Sequence, residues 1–228
     1  MKKVILSISA MLVASISFAQ ANVSAVNQFG IANAAVVTQV GLANDSDVLQ
    51  IGLANLAVVD QDGRRNEADI NQGGALNFAS VDQKGRRNDA YIGQLGIGNA
   101  AFIVQDGRRN DAVIGQAGFL NYARTTQIGK DNSATNFQFG VANFSNTLQV
   151  GDGNNALGLQ VGVGNSANVF QLGDDNMAVT AQFGTDNTSY INQFGTSNMA
   201  WTTQTGNNHI STVNQWGVGN MSLVMQSN

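Results

Sequence analysis

The chain has 228 residues, only 11% of them charged, with 26 glycines but no proline and no cysteine. Without cysteine there is no disulfide framework to build on, and one histidine cannot make a cysteine–histidine zinc centre. A chain of this length with average usage would hold about 11 prolines; their complete absence points to a backbone whose N–H groups are all needed as ladder donors.

Residues 1–19 read as a signal peptide. Lys2 and Lys3 form a basic start, Val4 to Phe18 is apolar, and Ser17-Phe18-Ala19 fits a cleavage site, with cutting after Ala21 the close alternative. No second apolar stretch of membrane-spanning length follows, so no transmembrane anchor is expected. Loss of Lys2 and Lys3 leaves 9 basic against 15 acidic residues, about −6. Nucleic acid is a poor partner for such a chain.

From residue 20 to 228 the sequence is one repeat domain. Glutamine stands at position 28 and at every eleventh residue through Gln39 and Gln105 to Gln215 and Gln226, without an insertion or deletion. Glycine follows two residues after each of them up to Gly217. Asparagine follows five residues after, from Asn33 and Asn44 through Asn110 to Asn220, with His209 the one departure. Alanine or serine comes two residues later, and two beyond that usually Val, Ile or Thr, with Asn136 and Gly158 as exceptions. Residues two apart share one face of a strand. Each unit is therefore read as a strand of about six residues closed by a glycine turn.

A second period of 22 residues sets the coil. The pairs between glycine and asparagine alternate: one series is apolar, with Ile31, Leu53, Leu76, Ile97, Phe119 and Leu120. The other carries Arg64-Arg65, Arg86-Arg87 and Arg108-Arg109, then Lys130-Asp131 and Asp174-Asp175. Two strands per coil place apolar turns on one edge and charged turns on the other, the charged series opening with Leu42-Ala43. The predicted fold is an all-β, two-sheet parallel solenoid of about nine and a half coils, its strands burying their faces only by stacking. In-register Gln28, Asn33, Gln39, Asn44 and their successors should form amide ladders at about 4.8 Å spacing, as in cross-β stacks. Buried amides outside such ladders would each cost a few kcal/mol.

These residues resemble the curlin repeat, Ser-x5-Gln-x-Gly-x-x-Asn-x-Ala-x3-Gln, of bacterial curli subunits. Gln61 to Gln72 matches it, and the likeness runs from about Asn22 onward. The resemblance implies a homopolymer fibre of the biofilm matrix, passing the periplasm, exported through an outer-membrane channel and seeded by a nucleator subunit. The chain departs from the best-known members in two ways: repeats begin at Asn22 with no glycine-rich export segment, and there are many more strands than five repeats supply.

Other readings of the same residues are weaker. His209 substitutes for a ladder asparagine and has no co-ligand, so no metal is expected. Asp174-Asp175 is solvated charge on a turn, and Gly151-Asp152-Gly153 is no phosphate loop because no helix follows. Neither a catalytic group nor a cofactor site emerges. The arginine pairs stack one coil apart, with Asp62, Glu67, Asp69, Asp82, Asp89, Asp106 and Asp111 near enough to neutralise much of their charge. Three readings stay open for them: a plain solvated edge, a gatekeeper that slows premature assembly, or a patch for anionic polymers. Beside a fibre subunit, either major or nucleating, the alternatives are a non-polymerising secreted adhesin and an ice-binding solenoid. The second lacks a regular outward threonine column, since Thr38, Thr126, Thr180 and Thr203 are scattered along the chain and fill no continuous run of coils.

Overall fold

The computed structural model describes residues 21–228; the signal-peptide reading of residues 1–19 falls outside them. Strands succeed one another every 11 residues, from β1 (Val23–Ile31) and β2 (Ala34–Leu42) to β18 (Ile210–Val218) and β19 (Met221–Ser227). Odd-numbered strands form a ten-stranded sheet, here sheet A, and even-numbered strands a nine-stranded sheet B. Every pairing is parallel and in register at 22 residues: Gln50 lies beside Gln72 and Gly52 beside Gly74. The two-sheet parallel solenoid expected from the repeat is the fold observed.

The strands are longer than the six residues the pattern predicts. Eighteen of them span nine residues, because glycine and the residue after it stay in the ladder, as in the pairs Gly63–Gly85 and Arg64–Arg86. The bend is left to a two-residue corner such as Arg65-Asn66. Its first residue adopts left-handed backbone angles even where it is not glycine: φ is 57° at Arg65, 56° at Leu76 and 54° at Leu120. Such a conformation costs an L-residue roughly 1–2 kcal/mol. Each corner is held in it by a ladder bond of its own, for example Arg65 N–H donating to Leu42 C=O at 3.0 Å.

The repeat glycine answers a further demand. At Gly107 (φ +134°) an added Cβ would stand 1.8 Å from the carbonyl oxygen of Gly129, one coil up. Stacking, as much as turn conformation, excludes a side chain there.

Between the sheets, alanine from one face meets Val or Ile from the other, and Ile70, Ile92, Ile103 and Ile114 are fully buried. Burying such a side chain contributes about 1.5–3 kcal/mol. The apolar core comes in two parts, one from Val37 to Ala123 and one from Ala134 to Val213. Between them lies a polar island. Asn136 donates from Nδ2 to the hydroxyls of Thr125 (2.9 Å) and Thr147 (3.2 Å), and accepts from Ser145 at 2.8 Å. Its neighbour one coil up is Gly158, which has no side chain to pack.

Candidate functional site

The interior amides form the ladders that the period implies, with a geometry richer than simple stacking. Gln83 Nε2 donates to Gln105 Oε1 at 2.9 Å, and Gln105 Nε2 donates onward to Gln127 Oε1 at 2.9 Å. The second hydrogen of Gln105 crosses to the carbonyl of Asp89 on the opposite strand, 2.8 Å away. Each glutamine therefore ties its sheet along the axis and also closes the corner between sheets. Asparagine works in the reverse sense. The backbone N–H and Nδ2 of Asn110 both donate down to Asn88 Oδ1 (3.1 and 3.3 Å), while Nδ2 also reaches the Gly129 carbonyl at 3.1 Å. The Asn110 Oδ1 then accepts from Asn132 above.

Buried hydrogen bonds in such connected chains reinforce one another, and an orphan partner is expensive. His209 keeps only part of the pattern: its backbone N–H donates to Asn187 Oδ1 at 3.1 Å, and its ring contacts the Thr205 carbonyl.

At both ends of the described solenoid the ladders stay open. Gln28 and Gln39 donate upward to Gln50 (2.6 Å) and Gln61 (2.8 Å), leaving their own carbonyl oxygens without a coil beneath. At the other end Gln215 and Gln226 accept from Gln193 and Gln204, each at 2.8 Å, and spend one N–H on Met199 and Ile210. Their second hydrogens face outward. Asn220 is the last asparagine rung, bonded down to Asn198 at 2.8 Å. One end thus presents glutamine acceptors and the other glutamine donors. Both ends also bare apolar side chains, with Phe29 60% exposed below and Trp216 72% above.

The edges divide as the 22-residue period places them. Ile31, Leu53, Leu76, Ile97, Phe119 and Leu120 are all exposed along one edge. On the other, Arg64, Arg86 and Arg108 stack in register, with Lys130 next.

The expected neutralisation of these arginines by nearby carboxylates is not what the structure shows. Among the described residues the ion pairs on this edge are Arg109–Asp131 and Lys130–Asp152, each joining one coil to the next. Arg64, Arg65, Arg86, Arg87 and Arg108 have no carboxylate within ion-pair distance. Strand geometry explains the difference: Glu67 and Asp89 begin strands whose side chains stand out from the sheet A face, while the arginines point off the corner. Arg87, then desolvation, then Arg108 and Arg64, hold the Arg86 guanidinium below its usual pKa.

Sequence reasoning also missed the aromatic columns on sheet B. Phe78, Phe102, Tyr122 and Phe144 succeed one another at centroid separations of 5.2, 5.5 and 5.2 Å. Phe170, Phe194 and Trp216 do so at 5.3 and 4.4 Å. Phe102 sits two places along its strand from the slot the other three share, so a fixed-position search passes over the column.

Residues 43–74, 74–107, 107–140, 162–195 and 173–201 match the curlin associated repeat, together more than half of the chain. The chain belongs to the curlin-repeat family. No curated protein matches it significantly. Curlin repeats belong to structural rather than enzymatic proteins, and with the solenoid they make this chain a curli-like structural subunit. The internal gap between matches, 141–161, contains Thr147 and Gly158, members or neighbours of the polar island that breaks the curlin core pattern.

Proposed function

We propose that this curlin-repeat protein is secreted and stacks end on end into extracellular amyloid-type fibres of a biofilm matrix. The observation that carries this reading is the complementarity of the open ends. Outward glutamine donors at Gln215 and Gln226 meet free acceptors at Gln28 and Gln39, on strand edges whose N–H and C=O groups are spaced for one more parallel strand. Unpaired edges of this kind template addition of further chains, and identical coils make the added contact equivalent to an internal one.

Passage through the periplasm, export by an outer-membrane channel and seeding by a nucleator subunit belong to the same proposal and rest on family membership. The test is incubation of the purified chain from residue 20 alone. Thioflavin-positive fibres with a 4.7–4.8 Å reflection along the fibre axis are expected. A persistently monodisperse monomer would overturn the reading in favour of a non-polymerising adhesin.

A further inference from the structure

The outer face of sheet A carries an acidic counterpart to the arginine edge. Asp45, Glu67, Asp89 and Asp111 stand in one in-register column, and Asp47 and Asp69 form a second, shorter one beside it. These six carboxylates make no ion pair among the described residues, and all but the half-buried Asp69 are exposed. Burial, then Glu67 and Asp111, pushes the Asp89 carboxyl up to about 6; burial and the neighbouring acids raise Asp69 as well. The acidic columns, and the arginine edge from Arg64 to Arg108, thus hold like charges one rung apart, about 4.8 Å, with relief at the far end of the edge through Arg109–Asp131 and Lys130–Asp152.

The two patches share an axial repeat and occupy the same coils. The other flank of the arginine edge, on sheet B, carries Asp60, Asp62, Asp82 and Asp106, but Lys84 interrupts them, standing 3.8 Å from Asp82 and in register between Asp62 and Asp106. Sheet A has no basic residue on the corresponding face.

We propose that the arginine edge of one copy seats on the sheet A carboxylates of a second copy, with the reciprocal contact formed at the same time, in a two-fold lateral pair. The edge and the acidic columns border each other on each copy, so a single two-fold axis satisfies both contacts, the condition for an isologous interface. Complementary charge at matched spacing also favours one axial register, because a slip by part of a rung moves each guanidinium off its carboxylate and lengthens every pair at once. This pairing is lateral and goes beyond end-on growth; it needs no fibre and no second protein.

The test uses the chain from residue 20, imaged by electron microscopy and followed by sedimentation. Salt raised from about 0.01 M to about 1 M shortens the screening length from about 30 Å to about 3 Å, and pairs should part into single solenoid-width particles. Two triple variants, Arg64→Glu/Arg86→Glu/Arg108→Glu and Glu67→Lys/Asp89→Lys/Asp111→Lys, should each stay single, and the six substitutions in one chain should pair again. Since the chain has no cysteine, Arg86→Cys mixed with Asp89→Cys should give the mixed disulfide about tenfold over either homodisulfide, reflecting the raised effective concentration. Pairs that persist in either triple variant would overturn the proposal. So would equal yields of mixed and homodisulfides, or pairing that requires an added anionic polysaccharide, which would make the edge a polyanion site. Failure of end-on growth leaves this test intact, because the pair is then read as a salt-labile dimer in sedimentation.

Discussion

Replacing Gln105 with alanine probes the ladder at its most connected point. The substitution leaves one N–H of Gln83 without its acceptor, removes a donor from Gln127 Oε1, and takes away the bond to the Asp89 carbonyl. Gln83, Gln105 and Gln127 are all 0% exposed, so water cannot replace the lost partners. One orphaned buried donor costs about 1–3 kcal/mol, and the void left by the shortened chain adds about 1 kcal/mol. A destabilisation of about 3 kcal/mol follows, more than a hundredfold in the unfolding equilibrium.

Exposed Asp106, the next residue, should lose no more than about 0.5 kcal/mol on replacement by alanine. Gln226→Ala falls between, since that residue accepts from Gln204 and donates to Ile210 on the last, half-covered rung. Urea unfolding of the unassembled chain measures all three, and thioflavin lag times should follow the same order for Gln105→Ala and Asp106→Ala. Equal shifts for Gln105→Ala and Asp106→Ala would refute the inward assignment of the ladder.

Gly107→Ala should prevent the coil from closing, because its methyl would lie 1.8 Å from a backbone oxygen that cannot move; loss of the β-sheet circular dichroism signal checks this. Arg64, Arg86 and Arg108 changed together to Ser should shorten the fibre lag phase, converging with the unmodified chain at high salt where exposed charge is screened; an unchanged lag would leave these residues a plain solvated edge. Leu53, Leu76, Ile97, Phe119 and Leu120 changed to Ser should abolish bundling through the apolar edge in electron micrographs, since exposed apolar ridges mark contact surfaces. Asp89 has a folded pKa of about 6 against 3.8 for the free group. The native state therefore binds the extra proton, and stability falls as pH rises from 3.8 to about 6. Asp89→Asn should flatten that part of the pH profile in urea melts, and an unchanged slope would place the carboxyl in free solvent.

Much of this architecture is readable from the spacing of Gln28, Asn33, Gln39 and Asn44, because a strict 22-residue period leaves one way to stack strands. The alternation between Leu76-type and Arg87-type corners assigns the two edges for the same reason. What escapes the sequence depends on three-dimensional direction. The left-handed corners at Arg65 and Leu120 look unremarkable in one dimension, since their conformation is imposed by ladder bonds from other coils. The arginines look neutralised because Glu67 and Asp89 are near in sequence, yet strand pleating turns the two sets apart. The second bond of each glutamine, as from Gln105 to Asp89, spans 16 residues and ends on a backbone carbonyl, so no side-chain pattern marks it.

The polar island around Asn136 has a mechanical consequence. Pulled along its axis, a stack of coils yields where the grip between neighbours is weakest. From Val37 to Ile114 an Ile or Val on each rung meets another one coil away, but Asn136 reaches with its Oδ1 into the place a side chain at Gly158 would take, 2.5 Å from where that Cβ would stand, and its hydroxyl partners fix it sideways. Tension should therefore peel the solenoid at these coils first, leaving the rungs from Val37 to Ala123 intact, so that single-molecule stretching records an early yield followed by a stiffer block. A fibre built from such units has a regularly spaced fuse, which limits how far a tear runs.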